Sequence, residues 1–354
     1  MTVLRPPPSP AKDTPRRLPP LTLANPDMVA KHTPCTLHLS VLPPELACRL
    51  FYTMLDESQE WKRNQWWLFE RLVESPHRTS FYVRRFSASD GDSEDVAGDA
   101  WQEAAQYWYN GRSTQPPRHF PDVLEEACTI VERVVNEEMK KRRRYPLEWG
   151  GDSLGIWRAN VAAANCYEGA KESVGAHADQ LTYLGPYPTI ASISLGTTRT
   201  FRLRETIPSD QRDVRQARTF NIPLPHNSLT IMHASTQERF KHSIPPQSTI
   251  DLYRPSYPRS MASPIEPSNC RINITFRFYR PDFHPSTIPR CKCGIPTVLR
   301  ADQKNKQDGS DKYWWHCNAA AQNEGKDCGF WKVLDIKAEG RGPCVQDALE
   351  DSAG

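Results

Sequence analysis

Six short apolar or alternating runs between residues 156 and 280 constrain the fold of this chain more than any other feature. These runs cover 156–167, 189–195, 198–204, 218–223, 227–232 and 270–280. Pro, Gly and Asn turns separate them, and short strands at such spacing are typical of a β-sandwich or barrel. Two apolar stripes of helical period precede them, from Leu46 to Leu55 and from Val123 to Val135. We therefore predict an α+β fold in which helices support a sandwich or barrel.

Proline enrichment marks the N-terminal end of the chain. Residues 1–33 contain eight of the 32 prolines, and a segment of this composition cannot build a packed core. We expect a disordered or polyproline II tail, whose PxxP spacings could bind an SH3-like partner. A polar stretch at 88–99 is expected to be a flexible insertion.

Overall charge leaves the class of partner open. The 45 Lys and Arg residues against 42 Asp and Glu residues give a net charge of +3, which neither favours nor excludes nucleic acid. The basic run from Lys140 to Arg144 fits a solvated helix end, a phosphate contact or a nuclear import signal. Because the sequence shows no apolar leader and no apolar stretch of bilayer length, we expect an intracellular protein without membrane contact.

A candidate metal site lies in the β region. His177 and Asp179 stand two residues apart, so on a strand both side chains project to one face. His242 on a later strand can supply a third ligand, although on this argument alone His226 or His233 would serve equally well. Two imidazoles and one carboxylate in a facial arrangement leave open positions on Fe(II), as in non-haem oxygenases.

The last of the six strands carries a polar face that requires a partner. Its apolar side chains are Ile272, Ile274, Phe276 and Phe278, and its polar ones are Arg271, Asn273, Thr275 and Arg277. If the apolar face packs on helices or on a second sheet, Arg271 and Arg277 lie about 20 Å apart along the other face. They could bind the two ends of a small dicarboxylate, or they could be ordinary cations on a solvated face.

Taken together, these segments resemble the AlkB family of Fe(II)- and 2-oxoglutarate-dependent dioxygenases, in particular its DNA-repair branch. The matching motifs, in chain order, are Asn165-x-Tyr167, His177-x-Asp179, Ile190–Gly196, Arg199–Phe201, His242 and Arg271–Arg277. The resemblance covers roughly residues 35–280 and implies a double-stranded β-helix, or jelly-roll, core. It implies that iron is bound by His177, Asp179 and His242. It also implies that 2-oxoglutarate is held by Asn165, Tyr167, Arg271, Asn273, Thr275 and Arg277.

The resemblance further implies a reaction and a substrate. Fe(II), 2-oxoglutarate and O₂ would oxidise an N-linked methyl group of a nucleic-acid base, which is then lost as formaldehyde. We expect DNA as the substrate, with the base taken from a single strand or flipped out of a duplex. We also expect the enzyme to be a nuclear monomer. The alternatives are an RNA demethylase and a nucleic-acid-binding protein on a catalytically idle scaffold.

Nucleotide recognition is expected in the N-terminal region, where this family keeps a lid. The segment Tyr107–Gly111 is similar to a lid motif of the family. The stretch 75–82, which ends at Tyr82, is loosely similar to the segment that precedes this motif in the family. We therefore expect Tyr82, Tyr107 and Tyr109 to contact the base, with core packing as the competing role. Gln180 stands where close relatives carry an acidic residue that accepts a hydrogen bond from the base. Its amide oxygen can still accept, so the preferred methylated base stays open.

Four cysteines near the C-terminus form a second candidate metal site. Cys291, Cys293, Cys317 and Cys328 offer four thiolates in about 40 residues, which predicts a structural, tetrahedral Zn(II). This stretch resembles a GRF-type zinc finger, a family that binds single-stranded nucleic acid. The resemblance implies that Trp314 and Trp315, which lie among basic residues, stack on bases, and packing around the zinc is the alternative.

These observations divide the 354 residues into one large domain, a small module and two tails. The predicted segments are a disordered tail at 1–33, N-terminal helices and lid at 34–150, the catalytic core at 151–284, the GRF-type zinc finger at 285–338 and a disordered tail at 339–354. The prediction treats the zinc finger as a separate unit behind a proline-spaced linker.

Overall fold

The computed structural model describes residues 18–68, 70–85, 116–151, 156–305, 311–321 and 323–346. The α-helices in these ranges are α1 Pro26–His32, α2 Pro44–Glu57, α3 Asp122–Lys140 and α4 Thr236–Arg239. The strands are β1 Leu21–Thr22, β2 Cys35–Leu39, β3 Lys62–Leu68, β4 Arg71–Val83, β5 Arg118–His119, β6 Val161–Glu168, β7 Val174–His177, β8 Ile190–Gly196, β9 Arg199–Glu205, β10 Thr219–Leu224, β11 Ser228–Met232, β12 Phe240–Ile244, β13 Cys270–Arg277, β14 Val298–Ala301, β15 Tyr313–His316 and β16 Trp331–Val333. None of the helices in these ranges has the length and apolar character needed to cross a membrane.

Two sheets face each other and enclose a cavity. The smaller has the strand order β1-β10-β9-β12-β7, and the larger has the order β2-β11-β8-β13-β6-β4-β3, with β5 beside β4. Each of the six runs predicted from the sequence forms a strand, and almost all the pairs between them are antiparallel. Strands from both sheets line the cavity, so side chains far apart in sequence meet between the sheets.

The larger sheet is covered on its outer face by α2 and α3. The two helices bury apolar stripes of the predicted helical period, which include Leu46, Leu50, Phe51, Leu124, Ala127 and Val131. On β13, Ile272, Ile274 and Phe276 are fully buried in the same apolar core as these helices. Complete burial of one such side chain contributes about 1.5–3 kcal/mol. The apolar face of β13 is thereby used for packing, and its polar face is turned toward the cavity.

Part of the expected N-terminal tail is structured. Residues 18–33 include β1 and α1, and α1 begins at Pro26 because the Asn25 side chain accepts a hydrogen bond from the Met28 N–H at 2.9 Å. Leu23 and Val29 are fully buried. The predicted disorder is therefore wrong for this part, because two apolar side chains and a helix cap outweigh the proline content. Residues 1–17, which contain the PxxP spacing from Pro7 to Pro10, and residues 88–99 lie outside the described ranges.

The region expected to contain only helices and a lid, residues 34–150, also contributes strands. β2 pairs with β11, and the long β3–β4 hairpin extends the larger sheet beyond β6. The hairpin was not predicted, because its residues alternate poorly between apolar and polar. Its outer positions, such as Leu68 and Leu72, are exposed.

The C-terminal cysteine module, residues 285–338, is packed against the jelly roll and is not a separate unit. Its strands β14, β15 and β16 form a three-stranded sheet. Leu299, Tyr313 and Trp315 from this sheet belong to the same buried core as Leu203 and Tyr183. The Leu181 N–H donates to the Leu299 carbonyl at 3.1 Å, which joins the module to the core by a backbone hydrogen bond.

The segment 339–346, expected to be a disordered tail, is also ordered by contacts with the rest of the chain. The buried Arg341 guanidinium donates to the Asp282 carbonyl, and the Gly342 N–H donates to Asp282 Oδ2 at 2.9 Å. Cys344 is fully buried, and its backbone forms an isolated antiparallel β-bridge with that of Trp149. The tail prediction is wrong here because composition alone does not reveal these long-range partners. Residues 347–354 are outside the described part of the chain.

Candidate active site

Three side chains from β7, the loop after it and β12 meet in the cavity. His242 lies directly opposite His177 in the antiparallel β7–β12 pair. Nε2 of His177 and Nε2 of His242 lie 3.8 Å and 3.5 Å from Asp179 Oδ1. One ligand atom from each of the three residues lies within 4.8 Å of the other two. This donor set, two imidazoles and one carboxylate, can hold one Fe(II) ion and leave further positions open.

Hydrogen bonds orient these side chains for metal binding. His177 Nδ1 lies 2.8 Å from the Gly175 carbonyl oxygen, which can only accept, so Nδ1 carries the proton and Nε2 keeps a free lone pair. The Asp179 N–H donates to Gln237 Oε1 at 2.9 Å. Arg277 donates to Asp179 Oδ2 through Nη2 at 2.7 Å and through Nε at 3.1 Å. The other oxygen, Oδ1, therefore faces the two imidazoles.

The electrostatic balance of the cavity keeps Asp179 ionised. Burial by itself would raise the pKa of this carboxyl, but the Arg277 guanidinium and the two imidazoles lower it well below its usual range. Burial, and then the nearby His177, lowers the pKa of His242 to about 3. A neutral His242 imidazole and an ionised Asp179 carboxylate are in the protonation states that a divalent metal ion requires.

A second anion-binding element lies beside the triad in the same cavity. Arg271 is 1% exposed, and its guanidinium lies 5.3 Å from the centre of the Tyr167 ring. Its Nη2 donates to Ser194 Oγ at 2.8 Å, whereas its buried Nε and Nη1 have no hydrogen-bond partner among the described residues. Burial lowers the pKa of Arg271 to about 10, so the group is still a cation at neutral pH. Two unsatisfied N–H groups on a buried cation fit the distal carboxylate of 2-oxoglutarate.

The remaining residues expected to hold 2-oxoglutarate line the wall between Arg271 and Arg277. Asn273 Nδ2 donates to Ser192 Oγ at 2.6 Å and to the Ile193 carbonyl at 3.1 Å. Asn273 Oδ1 accepts from Thr275 Oγ1 at 3.3 Å and from Asn165 Nδ2 at 3.4 Å. The Asn273 side chain is thus held by its neighbours, and it fixes the orientation of Asn165 and Thr275. All six predicted residues line one cavity with the triad.

Comparison with known proteins decides which family builds this arrangement. Residues 47–277 match the model described as "2OG-Fe(II) oxygenase superfamily". The chain belongs to this superfamily. Membership implies Fe(II), 2-oxoglutarate and O₂, which the triad and the free N–H groups of Arg271 fit, and the expected fold class is confirmed.

The curated relatives of this 2OG-Fe(II) oxygenase are AlkB-family proteins. It is 35% identical over 192 residues to "Alpha-ketoglutarate-dependent dioxygenase alkB homolog 3" of Mus musculus, covering 54% of each chain. It is 33% identical to the protein of the same name from Rattus norvegicus, covering 61% of this chain and 60% of the relative. "DNA oxidative demethylase ALKBH2" of Arabidopsis thaliana is 30% identical over 34% of this chain and 38% of its own length. The matches thus span no more than three fifths of these relatives.

The residues that line the cavity include several that could contact a substrate of this oxygenase. The cavity has a volume of about 380 Å³, and Gln180 lies in its wall. Trp66 on β3 and Phe81 on β4, which sequence reasoning missed, also line it, and so does Arg300 on β14, one of the basic residues among which Trp314 and Trp315 lie in the sequence. No short motif marks these three residues, and only the placement of the hairpin and of the cysteine module brings them to the cavity.

Several residues predicted to contact the base are placed elsewhere. Tyr82 is fully buried on the opposite face of β4, where its hydroxyl donates to Glu57 Oε2 at 2.5 Å, so it packs in the core away from the cavity. Trp315 is also fully buried, and its indole N–H donates to Glu339 Oε2 at 3.2 Å. Trp314 is half-buried. Tyr107 and Tyr109 lie outside the described residues.

The two histidines that the sequence left as alternative metal ligands have other partners. His226 Nδ1 accepts from the Gly196 N–H at 3.0 Å, and its ring stacks on Tyr253 with centroids 4.3 Å apart. His233 Nε2 lies 3.0 Å from Thr36 Oγ1. His242 is therefore the histidine that joins His177 and Asp179.

The four cysteines of the C-terminal module form a compact cluster. The Sγ atoms of Cys291, Cys293, Cys317 and Cys328 all lie within 4.8 Å of one another. Such a set can hold one tetrahedral metal ion.

The basic run at 140–144 is largely used in the fold. Arg142 and Arg144 both donate to the buried Glu148, and Lys141 pairs with Glu138. Among the three roles that the sequence left open, these contacts favour the end of a helix over a phosphate contact or a nuclear import signal.

Proposed function

We propose that this protein is an Fe(II)- and 2-oxoglutarate-dependent demethylase that removes N-linked methyl groups from nucleic-acid bases. The observation that carries this proposal is the pairing of the His177–Asp179–His242 triad with the partnerless N–H groups of Arg271 in one cavity. A buried cation with unsatisfied donors is costly to maintain unless an anion binds it. An idle scaffold would not need to keep both elements.

In the proposed reaction the chain's residues bind and orient, and the bound groups supply the oxidation. Bound Fe(II) and 2-oxoglutarate supply O₂-dependent hydroxylation of a methyl group, which the substrate then loses as formaldehyde. His177, Asp179 and His242 hold the metal. Arg271 and Tyr167 hold the distal carboxylate of 2-oxoglutarate, and Asn165, Asn273 and Thr275 shape the wall beside it. Arg277 keeps Asp179 ionised and turns Oδ1 toward the metal position.

Nucleic acid is the substrate class that we propose, with DNA favoured over RNA. The support is the name "DNA oxidative demethylase" that one set of relatives carries, together with a cavity lined by Trp66, Gln180 and Arg300. An aromatic ring and an amide beside the metal site suit a single unstacked base. RNA with the same methyl groups is the alternative, and side-by-side turnover will separate the two.

We also propose that the cysteine cluster binds a structural Zn(II) ion and that the module is a GRF-type zinc finger which assists single-strand binding. The compact set of four thiols supports the metal, and Trp331, which is 61% exposed beside Lys332, supports contact with a strand. The test is metal content: the wild-type chain should hold one Zn(II) per chain, and Cys328→Ser should lose it. If the wild-type protein holds no metal, or keeps its stability when the metal is removed, this proposal is wrong.

Turnover assays test the main proposal. Wild-type protein is incubated with Fe(II), 2-oxoglutarate and methylated DNA or RNA oligonucleotides, and succinate and formaldehyde are measured. His177→Ala should abolish the release of both while oligonucleotide affinity stays within about threefold. Arg204→Gln is a matched control, because Arg204 is exposed on β9 outside the cavity. Absence of succinate and formaldehyde with every oligonucleotide would overturn the assignment, and binding without turnover would indicate the idle scaffold.

A further inference from the structure

The cysteine module contributes one wall of the cavity that contains the triad. Arg300 of β14 lines this cavity together with His177, Asp179 and Gln180. Trp66 of β3 lines the same cavity, and β3 lies beside the 3-10 turn Ala319–Ala321 of the module. The module and the hairpin are therefore in contact, and each contributes a residue to the cavity wall.

Hydrogen bonds register the module against the segment that follows Asp179. The Leu181 N–H donates to the Leu299 carbonyl at 3.1 Å, and the Leu299 N–H donates to Thr182 Oγ1 at 3.2 Å. Arg300 is thus adjacent to the residues that flank Gln180. Both bonds join segments about 117 residues apart in the chain and act on Leu299, the residue before Arg300, so the fold defines the position of Arg300 relative to the triad.

A second contact joins the module to the triad through a side chain. Gln303 Nε2 donates to the Gln237 carbonyl at 2.7 Å, and Gln237 Oε1 accepts from the Asp179 N–H at 2.9 Å. Gln237 is 2% exposed, and both bonds are partly buried. The module therefore contacts the residue that supports the iron carboxylate.

The side chain of Arg300 is oriented by the cysteine cluster. His316 Nδ1 lies 2.8 Å from the Cys317 carbonyl oxygen, an acceptor only, so Nδ1 carries the proton and Nε2 is left to accept. Arg300 Nε donates to this Nε2 at 2.9 Å. The two terminal nitrogens of Arg300 have no ion-pair or hydrogen-bond partner among the described residues, whereas Arg271 and Arg277 are committed to the 2-oxoglutarate end of the cavity. Arg300 is consequently an oriented cation in the cavity wall with no anionic partner in the described part of the chain.

We propose that Arg300 binds a backbone phosphate of the nucleic-acid strand whose base enters the cavity, so that the cysteine module completes the substrate site. This inference rests on the proposed function. A planar guanidinium with two free terminal nitrogens fits a phosphate through two parallel hydrogen bonds. His316 is a positioning residue in this arrangement, because it holds Nε and leaves the two terminal nitrogens available for an anion.

Oligonucleotide affinity measured against salt concentration tests the proposal on the full chain. Arg300→Gln should weaken binding of a methylated single strand about tenfold. It should also reduce the slope of log affinity against log salt by about 0.7, the value for one lost phosphate contact. Arg204→Gln, which removes an exposed cation outside the cavity, should change neither quantity.

Further variants separate the role of Arg300 from folding. Arg300→Lys keeps the charge and should restore the salt slope but only part of the affinity, because Lys cannot bond His316 and phosphate together. His316→Ala should weaken binding through Arg300, so it should add little to Arg300→Gln, and His316→Gln should restore the acceptor. The melting temperature of each variant should be close to that of the wild type, which checks that the fold is intact.

The outcomes distinguish this inference from the proposed function. If wild-type protein demethylates an oligonucleotide and Arg300→Gln binds it with the wild-type affinity and salt slope, the phosphate contact is wrong and the demethylase assignment stands. If the wild-type protein neither binds nor demethylates any oligonucleotide, the proposed function fails and the inference fails with it.

Discussion

Arg277 donates two hydrogen bonds to a single oxygen of Asp179, through Nη2 at 2.7 Å and Nε at 3.1 Å. The same carboxylate presents its other oxygen to His177 and His242. The position and charge of the Asp179 carboxylate are therefore controlled by a residue of β13, a strand that carries no member of the triad.

Replacing Arg277 should weaken metal binding. Arg277→Gln removes the cation that lowers the pKa of Asp179 and releases the oriented oxygen, so metal affinity should fall about 10- to 100-fold. Calorimetry with Fe(II) under anaerobic conditions, without 2-oxoglutarate, measures the effect on the metal alone. The metal affinity of Arg277→Lys should lie between those of the wild type and Arg277→Gln, because Lys keeps the charge but loses the second hydrogen bond to Asp179. Wild-type metal affinity in Arg277→Gln would contradict this role.

Replacing Arg271 should weaken binding of 2-oxoglutarate while metal affinity is retained. Arg271→Gln should raise the dissociation constant of 2-oxoglutarate about 100-fold, because a charge-assisted pair in a buried site is lost. Ser194→Ala is the matched control: it removes the Nη2 partner of Arg271 and should cost less than tenfold. Equal losses in the two variants would show that packing, and not the charge of Arg271, holds the diacid.

The two adjacent tryptophans of β15 should differ in what they stabilise. Trp315 is fully buried beneath Arg341, so Trp315→Ala should lower the free energy of unfolding by about 3–5 kcal/mol. Trp314 is half-buried, and Trp314→Ala should cost only about 1 kcal/mol. Urea denaturation measures both values, and similar values for the two variants would contradict the packing described for β15.

Acid should destabilise the fold in part through His226. Burial lowers the pKa of His226 to about 4, so between pH 6.5 and 4 the unfolded chain binds a proton that the folded chain does not. Stability from this group is complete above about pH 6.5 and is lost as the pH falls through 4, by about 3 kcal/mol in total. His226→Asn keeps an acceptor for the Gly196 N–H without titrating. Its unfolding free energy, measured by denaturation across this pH range, should fall less steeply than that of the wild type, and an unchanged slope would contradict the assignment.

Local sequence pattern determined the strands formed by the six apolar runs, the helices α2 and α3, and the two faces of β13. Alternation with a period of two separates Ile272 and Ile274 from Arg271 and Asn273 wherever the strand is placed, so the polar face could be predicted before its surroundings were known. The spacing of His177 and Asp179, and the cluster of four cysteines, are also local. The predictions of disorder that failed, at 18–33 and at 339–346, concern segments whose partners lie far away in the chain.

Tertiary structure alone decided which residues meet. Three histidines suited the third metal position equally well on sequence grounds, and the antiparallel register of β12 against β7 selected His242 by placing it opposite His177. The docking of β14 brought Arg300 to the same cavity, although about 120 residues separate it from Asp179 along the chain. Strand register and domain docking depend on long-range packing, which no local pattern encodes. Burial likewise separates Trp315 from Trp314, two neighbours that the sequence could not tell apart.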